Sequence, residues 1–148
     1  MGLISLAERR RFRGADAKFA HWSHTALVVS DDGALVEAES SGVALNSIER
    51  YRDDEYHLVR LGPEFSAASR ELSVDYARAQ VGQGFGYLAA LSAAVFLVFG
   101  VPLRISRGKH QICSELVVHA LQKGGLLLDA DAQMVLPADL ARIYRASP

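Results

Sequence analysis

A lone cysteine and an early histidine are the residues of this sequence best suited to covalent chemistry. Cys113, the only cysteine, stands near the start of residues 112–124, whose apolar members recur at helical spacing. The first turn of a helix offers unpaired N–H groups and the positive end of its dipole, and both stabilise a thiolate. His24 begins an apolar, strand-like run, and an imidazole can take a thiol proton near neutral pH. With a carboxylate, these residues would make a cysteine acyl-transfer site, although a lone cysteine is also often a small buried hydrophobe.

Other histidines compete with His24 for the role of general base. They are His21, His57, His110 and His119. His119 lies six residues after Cys113, which places it on another face of the same helix. His110 lies in the polar loop just before the cysteine and is the strongest competitor.

A carboxylate that orients the imidazole is expected on the strand that follows His24. Asp-Gly at residues 32–33 predicts a two-residue hairpin loop. In that register Glu37 is opposite Val28, and both Glu37 and Glu39 share a face with His24. Glu37 is then on the order of 13 Å along the ladder from the histidine, so Glu39 is closer. A bulge or a strong twist would be needed to bring Glu37 in, and the pattern alone leaves the choice open.

Three segments together resemble a known enzyme family. Ser-His-Thr-Ala-Leu-Val-Val at residues 23–29, the Glu-Ala that follows the hairpin at residues 32–38, and Cys-Ser-Glu-Leu-Val in residues 112–117 are similar to the circularly permuted NlpC-type papain-like cysteine hydrolases. This is the YiiX/YaeF-like branch, with its phage and actinobacterial relatives. In papain and ordinary NlpC enzymes the cysteine precedes the histidine, whereas here the histidine comes first, as the permuted branch requires. The resemblance covers residues 21–142.

The resemblance implies a role for each residue that matches a motif. Cys113 would be the nucleophile, His24 the base and then the acid, and Glu37 the orienting carboxylate. The backbone N–H of Cys113 would form part of an oxyanion hole. One position departs from the family, because relatives often carry a tyrosine where this chain has Phe85, and Tyr87 lies two residues on.

The composition indicates one folded domain. The chain has 148 residues, half of them hydrophobic, which suffices for a core without disulfides or metal. We interpret residues 1–20 as an N-terminal Arg-rich segment and residues 21–148 as a single permuted papain-like domain. A net charge of −1 gives no support for a nucleic-acid surface, and the lack of CxxC and HExxH motifs gives none for zinc. We expect no cofactor and no metal, and the oligomeric state stays open.

The order of elements predicts an α+β fold. Strands are expected at residues 21–29, 34–39 and 56–61. Helices are expected at residues 66–80, 87–99, 112–124 and from Pro137 onward. Strands and helices that are segregated in this way favour an antiparallel sheet packed against helices.

Residues 85–103 carry no charge and approach the roughly 20 residues of a membrane span. Glycine, serine and proline shorten the unbroken helical part to residues 87–99. We favour a buried core helix, since a span would separate the histidine strand from the cysteine helix; membrane contact and an acyl-chain pocket are the alternatives. Residues 1–7 are apolar but charges follow them, the reverse of a signal peptide, so we expect a cytoplasmic protein by default.

These observations predict a cysteine peptidase or amidase that cleaves amide bonds, peptide or isopeptide, through a thioester on Cys113. A peptide, cell-wall or acyl-bearing molecule would be its substrate. One alternative is a lipid or ester acyl hydrolase or acyltransferase of the lecithin:retinol acyltransferase type. Others are a non-catalytic binding module on the same fold and a small membrane-associated protein anchored by residues 85–103.

Overall fold

A computed structural model describes residues 12–84, 113–127, 129, 131–132 and 134–148 of the chain. In this part the fold is α+β, as the order of elements predicts, with a three-stranded antiparallel sheet and helices. The predicted helix at residues 87–99, the uncharged stretch at residues 85–103 and His110 lie outside the described residues. Among the residues that are described, no helix is both long and apolar enough to cross a membrane.

The secondary structure comprises one sheet and several helices of different length. The strands are β1 (Leu27–Val28), β2 (Ala34–Glu39) and β3 (Gly42–Ser47), in the sheet order β1-β2-β3. The α-helices are α1 (Ala67–Ala79), α2 (Cys113–Lys123) and α3 (Pro137–Ile143). Two 3₁₀ helices cover Gly14–His21 and Ile48–Tyr51.

Local chemistry explains where the helices begin. The Ser66 hydroxyl accepts a hydrogen bond from the Ser69 N–H at the start of α1, which satisfies one of the unpaired donors of the first turn. Pro137 occupies the first position of α3, where a missing N–H costs nothing, and Asp139 accepts the Leu136 N–H at 3.0 Å. The three predicted helices within the described residues are therefore confirmed to within a residue or two.

One predicted strand does not form, and one observed strand was not predicted. Residues 56–61 form no strand, although their sequence favours one. The third strand is β3, which begins at Gly42 and is not among the predicted strands. Gly42 has φ +127°, and a Cβ there would lie 2.4 Å from the Gln83 carbonyl oxygen. Glycine therefore allows the tight β2–β3 hairpin and the close approach of the loop after α1, whose Gln83 carbonyl accepts the Val43 N–H.

The first hairpin has a longer loop than predicted. Leu27 pairs with Val36 and Val28 with Leu35, and the Val29 N–H donates to the Ala34 carbonyl. The loop therefore comprises four residues, 30–33, instead of two. The predicted strand at residues 21–29 is reduced to Leu27–Val28, and the residues before it continue outside the ladder.

In the core, α2 packs against the sheet and against the other two α-helices. Cys113 and Leu116 pack with Val36 of β2 and Ala77 of α1 in one buried cluster. The far end of α2 lies close to α1, because a Cβ on Gly124 would be 2.2 Å from the Ser69 carbonyl oxygen. The sheet and α1 together hold the start of α2, and with it Cys113, in a fixed position.

Candidate active site

The structure brings His24 and Glu37 into direct contact. The His24 Nε2 atom lies 2.6 Å from Glu37 Oε2. The Glu37 side chain is fully buried, whereas the His24 side chain is 34% exposed. The imidazole therefore has one edge bound to a buried carboxylate while another part faces solvent.

The observed register places Glu37 nearer to His24 than the predicted register does. The four-residue loop shifts the pairing by two residues relative to the predicted hairpin, so that Val28 faces Leu35 instead of Glu37. A shift of two keeps every side chain on its face and moves Glu37 two residues nearer to His24. The predicted register places Glu39 closer to His24. In the structure Glu39 forms an ion pair with Arg50, with 2.7 Å between Glu39 Oε1 and a guanidinium nitrogen.

Both carboxylate oxygens of Glu37 have further partners. Asn46 Nδ2 donates to Oε1 at 2.8 Å, and the Tyr51 hydroxyl donates to Oε2. One guanidinium nitrogen of Arg50 lies 3.6 Å from Oε1. Burial of a carboxylate is energetically unfavourable unless it is hydrogen-bonded in this way. These partners therefore explain how Glu37 can stay charged in the interior.

Sequence reasoning missed Asn46, Arg50 and Tyr51. Glu37 pairs with Ala44 on β3, and Asn46, two residues further, shares its face. A correct prediction of β3 would have shown this neighbour. Arg50 and Tyr51 belong to the 3₁₀ helix that follows β3, and no sequence signal marked them.

The hydrogen bonds outweigh the effect of burial on the carboxylate. Burial alone would raise the pKa of Glu37, but the bonds from Tyr51, His24 and Asn46 lower it below its ordinary value. Burial and the bond to Glu37 act together on Tyr51 and raise the pKa of its hydroxyl. Glu37 therefore stays ionised at neutral pH, and Tyr51 stays a donor.

Cys113 interacts with the His24 side chain. The thiol belongs to the first residue of α2, is 8% exposed, and lies near enough to the imidazole to affect its pKa. Burial alone would lower the pKa of His24, but the hydrogen bonds and charges of Cys113 and Glu37 raise it to about 9.

The start of α2 is fixed by a neighbouring hydroxyl. Ser114 Oγ donates to the Val135 carbonyl oxygen at 2.6 Å, and the Ser114 residue is buried. This bond ties the first turn of α2 to the segment that leads into α3. The N–H groups of that first turn have no partner within the helix, so Cys113 occupies the positive end of the helix dipole.

The competing histidines within the described residues have other partners. His57 Nδ1 lies 3.1 Å from the Ser147 carbonyl oxygen, and His21 Nε2 lies 3.0 Å from Glu55. His119 lies 3.6 Å from Glu115 on its own helix. His110, the strongest competitor in the sequence, lies outside the described residues. Of the four histidines that are described, His24 is the one in contact with both the thiol and a buried carboxylate.

A cavity of about 1040 Å³ opens beside His24. Within the described ranges, no group of three or more histidine, cysteine or acidic side chains could hold a metal ion. Comparisons with protein-family models, with curated proteins and with solved structures found no match. The chemistry of the site is therefore inferred from its geometry, in which an imidazole that lines the cavity is bound to a buried carboxylate and lies near a thiol.

Proposed function

We propose that this chain is a cysteine-dependent hydrolase of amide bonds, with Cys113, His24 and Glu37 as its catalytic residues. The observation that carries the proposal is the position of His24, whose Nε2 lies 2.6 Å from the fully buried Glu37 carboxylate and whose pKa the nearby Cys113 thiol also raises. A structural histidine needs no such carboxylate, which has to be compensated by Tyr51 and Asn46. This arrangement matches the requirements of nucleophile activation.

The proposed reaction proceeds in two stages through a thioester. His24 takes the proton of the Cys113 thiol, and the sulfur attacks the substrate carbonyl carbon to form a tetrahedral intermediate. The intermediate collapses as the C–N bond breaks, and His24 returns the proton to the leaving amine. His24 then takes a proton from water, which attacks the thioester and releases the acid and the free thiol.

Glu37 and the start of α2 would supply the electrostatic support. The negative charge of Glu37 stabilises the imidazolium that exists while His24 holds the thiol proton. The backbone N–H of Cys113, in the first turn of α2, is placed to donate to the oxyanion of the tetrahedral intermediate. Both groups are held by other side chains, so they need little rearrangement during the reaction.

We also propose that the fold is the permuted papain-like one. Support comes from the order of elements, in which the histidine precedes a hairpin that carries the carboxylate, and the cysteine opens a later helix. The packing of that helix against the sheet lets residues far apart in sequence meet at one site.

Alkylation of Cys113 by iodoacetamide, measured across pH, tests the proposal without knowledge of the substrate. In the wild-type chain we expect rapid alkylation below neutral pH, because imidazolium His24 stabilises the thiolate. In a His24→Ala variant we expect fast alkylation only at higher pH. Identical pH profiles for the two chains would contradict the proposed pairing.

Turnover separates the enzyme from a binding module with the same site. Peptide amides incubated with the wild-type chain should give hydrolysis products and a thioester adduct on Cys113 that mass spectrometry detects. A Cys113→Ser variant should stay folded and lose at least about a hundredfold in rate, since an alcohol is a much weaker nucleophile here. A serine variant that retains most of the activity would remove Cys113 from the mechanism.

A further inference from the structure

One wall of the cavity has a strand-like sequence without a strand partner. Residues 56–60 belong to no helix or strand. In the part of the chain that the structure describes, the backbone groups of Tyr56, Leu58, Val59 and Arg60 have no hydrogen-bond partner. Tyr56 and Leu58 are 53% and 47% exposed. An unpaired backbone of β-forming residues is a surface to which a second extended chain can add.

This wall is fixed near both of its ends. The His57 ring donates to the Ser147 carbonyl oxygen at 3.1 Å. The Arg70 guanidinium donates to the Leu61 and Gly62 carbonyl oxygens at 3.3 and 2.6 Å. The backbone between these attachments is held in place while its own donors and acceptors stay open, which lowers the entropic cost of binding.

Residues 23–26, which include His24, also line the cavity and are also unpaired. Residues 23–26 precede β1, which lies at the edge of the sheet. Within the described residues, the backbone groups of Ser23, Thr25 and Ala26 have no hydrogen-bond partner either. Both segments line the same cavity of about 1040 Å³, a volume at the upper end of the roughly 300–1,000 Å³ typical of ligand pockets.

The unpaired backbones distinguish between two kinds of occupant. An aliphatic chain would take these N–H and C=O groups out of water without replacing their hydrogen bonds, which is unfavourable. A peptide in extended conformation supplies donors and acceptors at the spacing that a strand requires. Its side chains on one face would meet apolar cavity residues such as Val117, Leu121 and Leu140.

We propose that the cavity binds the substrate as an extended peptide that adds a strand to residues 56–60, with apolar side chains at alternate positions. This inference rests on the proposed function, because it takes the peptide to be the molecule whose amide bond meets Cys113. The proposal also explains the strand-like sequence of residues 56–61, because these residues would pair with the bound peptide.

Binding to a Cys113→Ala variant tests the inference without turnover. The probes are fluorescein-labelled N-acetyl hexapeptide amides with apolar residues at alternate positions, screened as a library by fluorescence anisotropy. Leu58→Pro and Val59→Pro each remove one backbone N–H that has no partner in the free protein, while Leu58→Ala and Val59→Ala keep it. Because adjacent residues of a strand direct their N–H groups to opposite edges, we expect one proline to weaken binding about tenfold more than its alanine control and the other to have a smaller effect.

A second measurement guards against misfolding of the proline variants. N-methylation of successive amides in the tightest peptide should weaken binding at alternate positions. Equal affinities for proline and alanine variants together with no alternation on N-methylation would overturn the inference, as would the absence of binding by every hexapeptide up to about 1 mM. Peptides that bind with this alternation but are not cleaved by the wild-type chain would support strand addition and contradict the proposed function. Cleavage without any backbone dependence would overturn the inference alone.

Discussion

At the residue scale, Glu37 is a fully buried carboxylate that several side chains hold in place. Four side chains approach its two oxygens, and none of its surface is exposed. Only one of these partners, His24, belongs to the proposed proton transfer. The others hold the carboxylate ionised and fixed in direction, so that it can act on the imidazole.

Replacement of each carboxylate by an amide distinguishes the role of Glu37 from that of Glu39. Glu37→Gln should reduce the rate of amide hydrolysis on the order of tenfold to a hundredfold, because the imidazolium loses its counter-charge. The pKa of His24 should also fall from about 9, which NMR titration of the ring can measure. Glu39→Gln is the matched control, since Glu39 pairs with Arg50. Greater damage from the Glu39 change would show that the carboxylate in contact with His24 is not the functional one.

Removal of the Tyr51 hydroxyl tests how far it supports the carboxylate. Tyr51→Phe should lower the free energy of unfolding by about 1.5–3 kcal/mol, the usual range for a hydrogen bond to a charged group. Urea denaturation at neutral pH provides the measurement. Tyr56→Phe is the control, because Tyr56 is half exposed and its hydroxyl has no partner among the described residues. Equal stabilities of the two variants would mean that Glu37 does not depend on Tyr51.

At the element scale, the fold was predictable where the sequence pattern is local. The helix that begins at Cys113 and the strand Ala34–Glu39 follow from periodicity and from their flanking turns. The loop length of the first hairpin does not, since Asp-Gly fits the end of a four-residue loop as well as a two-residue one. Strand β3 was not predicted, because the glycine at its start, Gly42, is of a residue type that both ends strands and permits tight hairpins.

The residues of the site could be predicted only in part. Cys113, His24 and Glu37 could be chosen from residue type and family resemblance, and the structure brings these three together. Asn46 and Tyr51 could not be chosen, because their importance depends on β3 and on the 3₁₀ helix after it. Residues 56–61 show the limit of propensity, since a strand needs a partner that the sequence of the segment does not specify.

The contact between α1 and α2 offers a test at this scale. Gly124→Ala would place a Cβ 2.2 Å from the Ser69 carbonyl oxygen and 2.3 Å from Ser73 Oγ. We expect α2 to move away from α1, a loss of about 1–3 kcal/mol in stability, and a change in the rate of Cys113 alkylation. Gly125→Ala is the control, because it meets open space and has only the strain of φ +68°. An unchanged alkylation rate in Gly124→Ala would show that the position of Cys113 does not depend on this contact.

At the scale of the whole molecule, the coupled groups predict how stability varies with pH. The pKa of His24 is raised from 6.5 to about 9. The contribution of His24 to the free energy of unfolding is therefore complete below pH 6.5 and is lost as the pH rises through 9. The pKa of Glu37 is lowered from 4.5, so its contribution is present above pH 4.5 and is lost as the pH falls. The free energy of unfolding, measured by urea denaturation, should therefore be highest between pH 4.5 and 6.5. In the His24→Gln variant the free energy of unfolding should fall less steeply toward pH 9. An unchanged fall would show that other groups cause the pH dependence.

The spacing of the site along the chain has a consequence for the order of folding. His24, Asn46 and Tyr51 lie 13, 9 and 14 residues from Glu37, whereas Cys113 is about 90 residues beyond His24. Closing a short loop costs less chain entropy than closing a long one, and local contacts form faster. We therefore expect the histidine and its carboxylate to assemble early, within the hairpins, and the thiol to join them last. A nascent or partly unfolded chain would then hold an unactivated cysteine, so that its reactivity appears only once folding is complete.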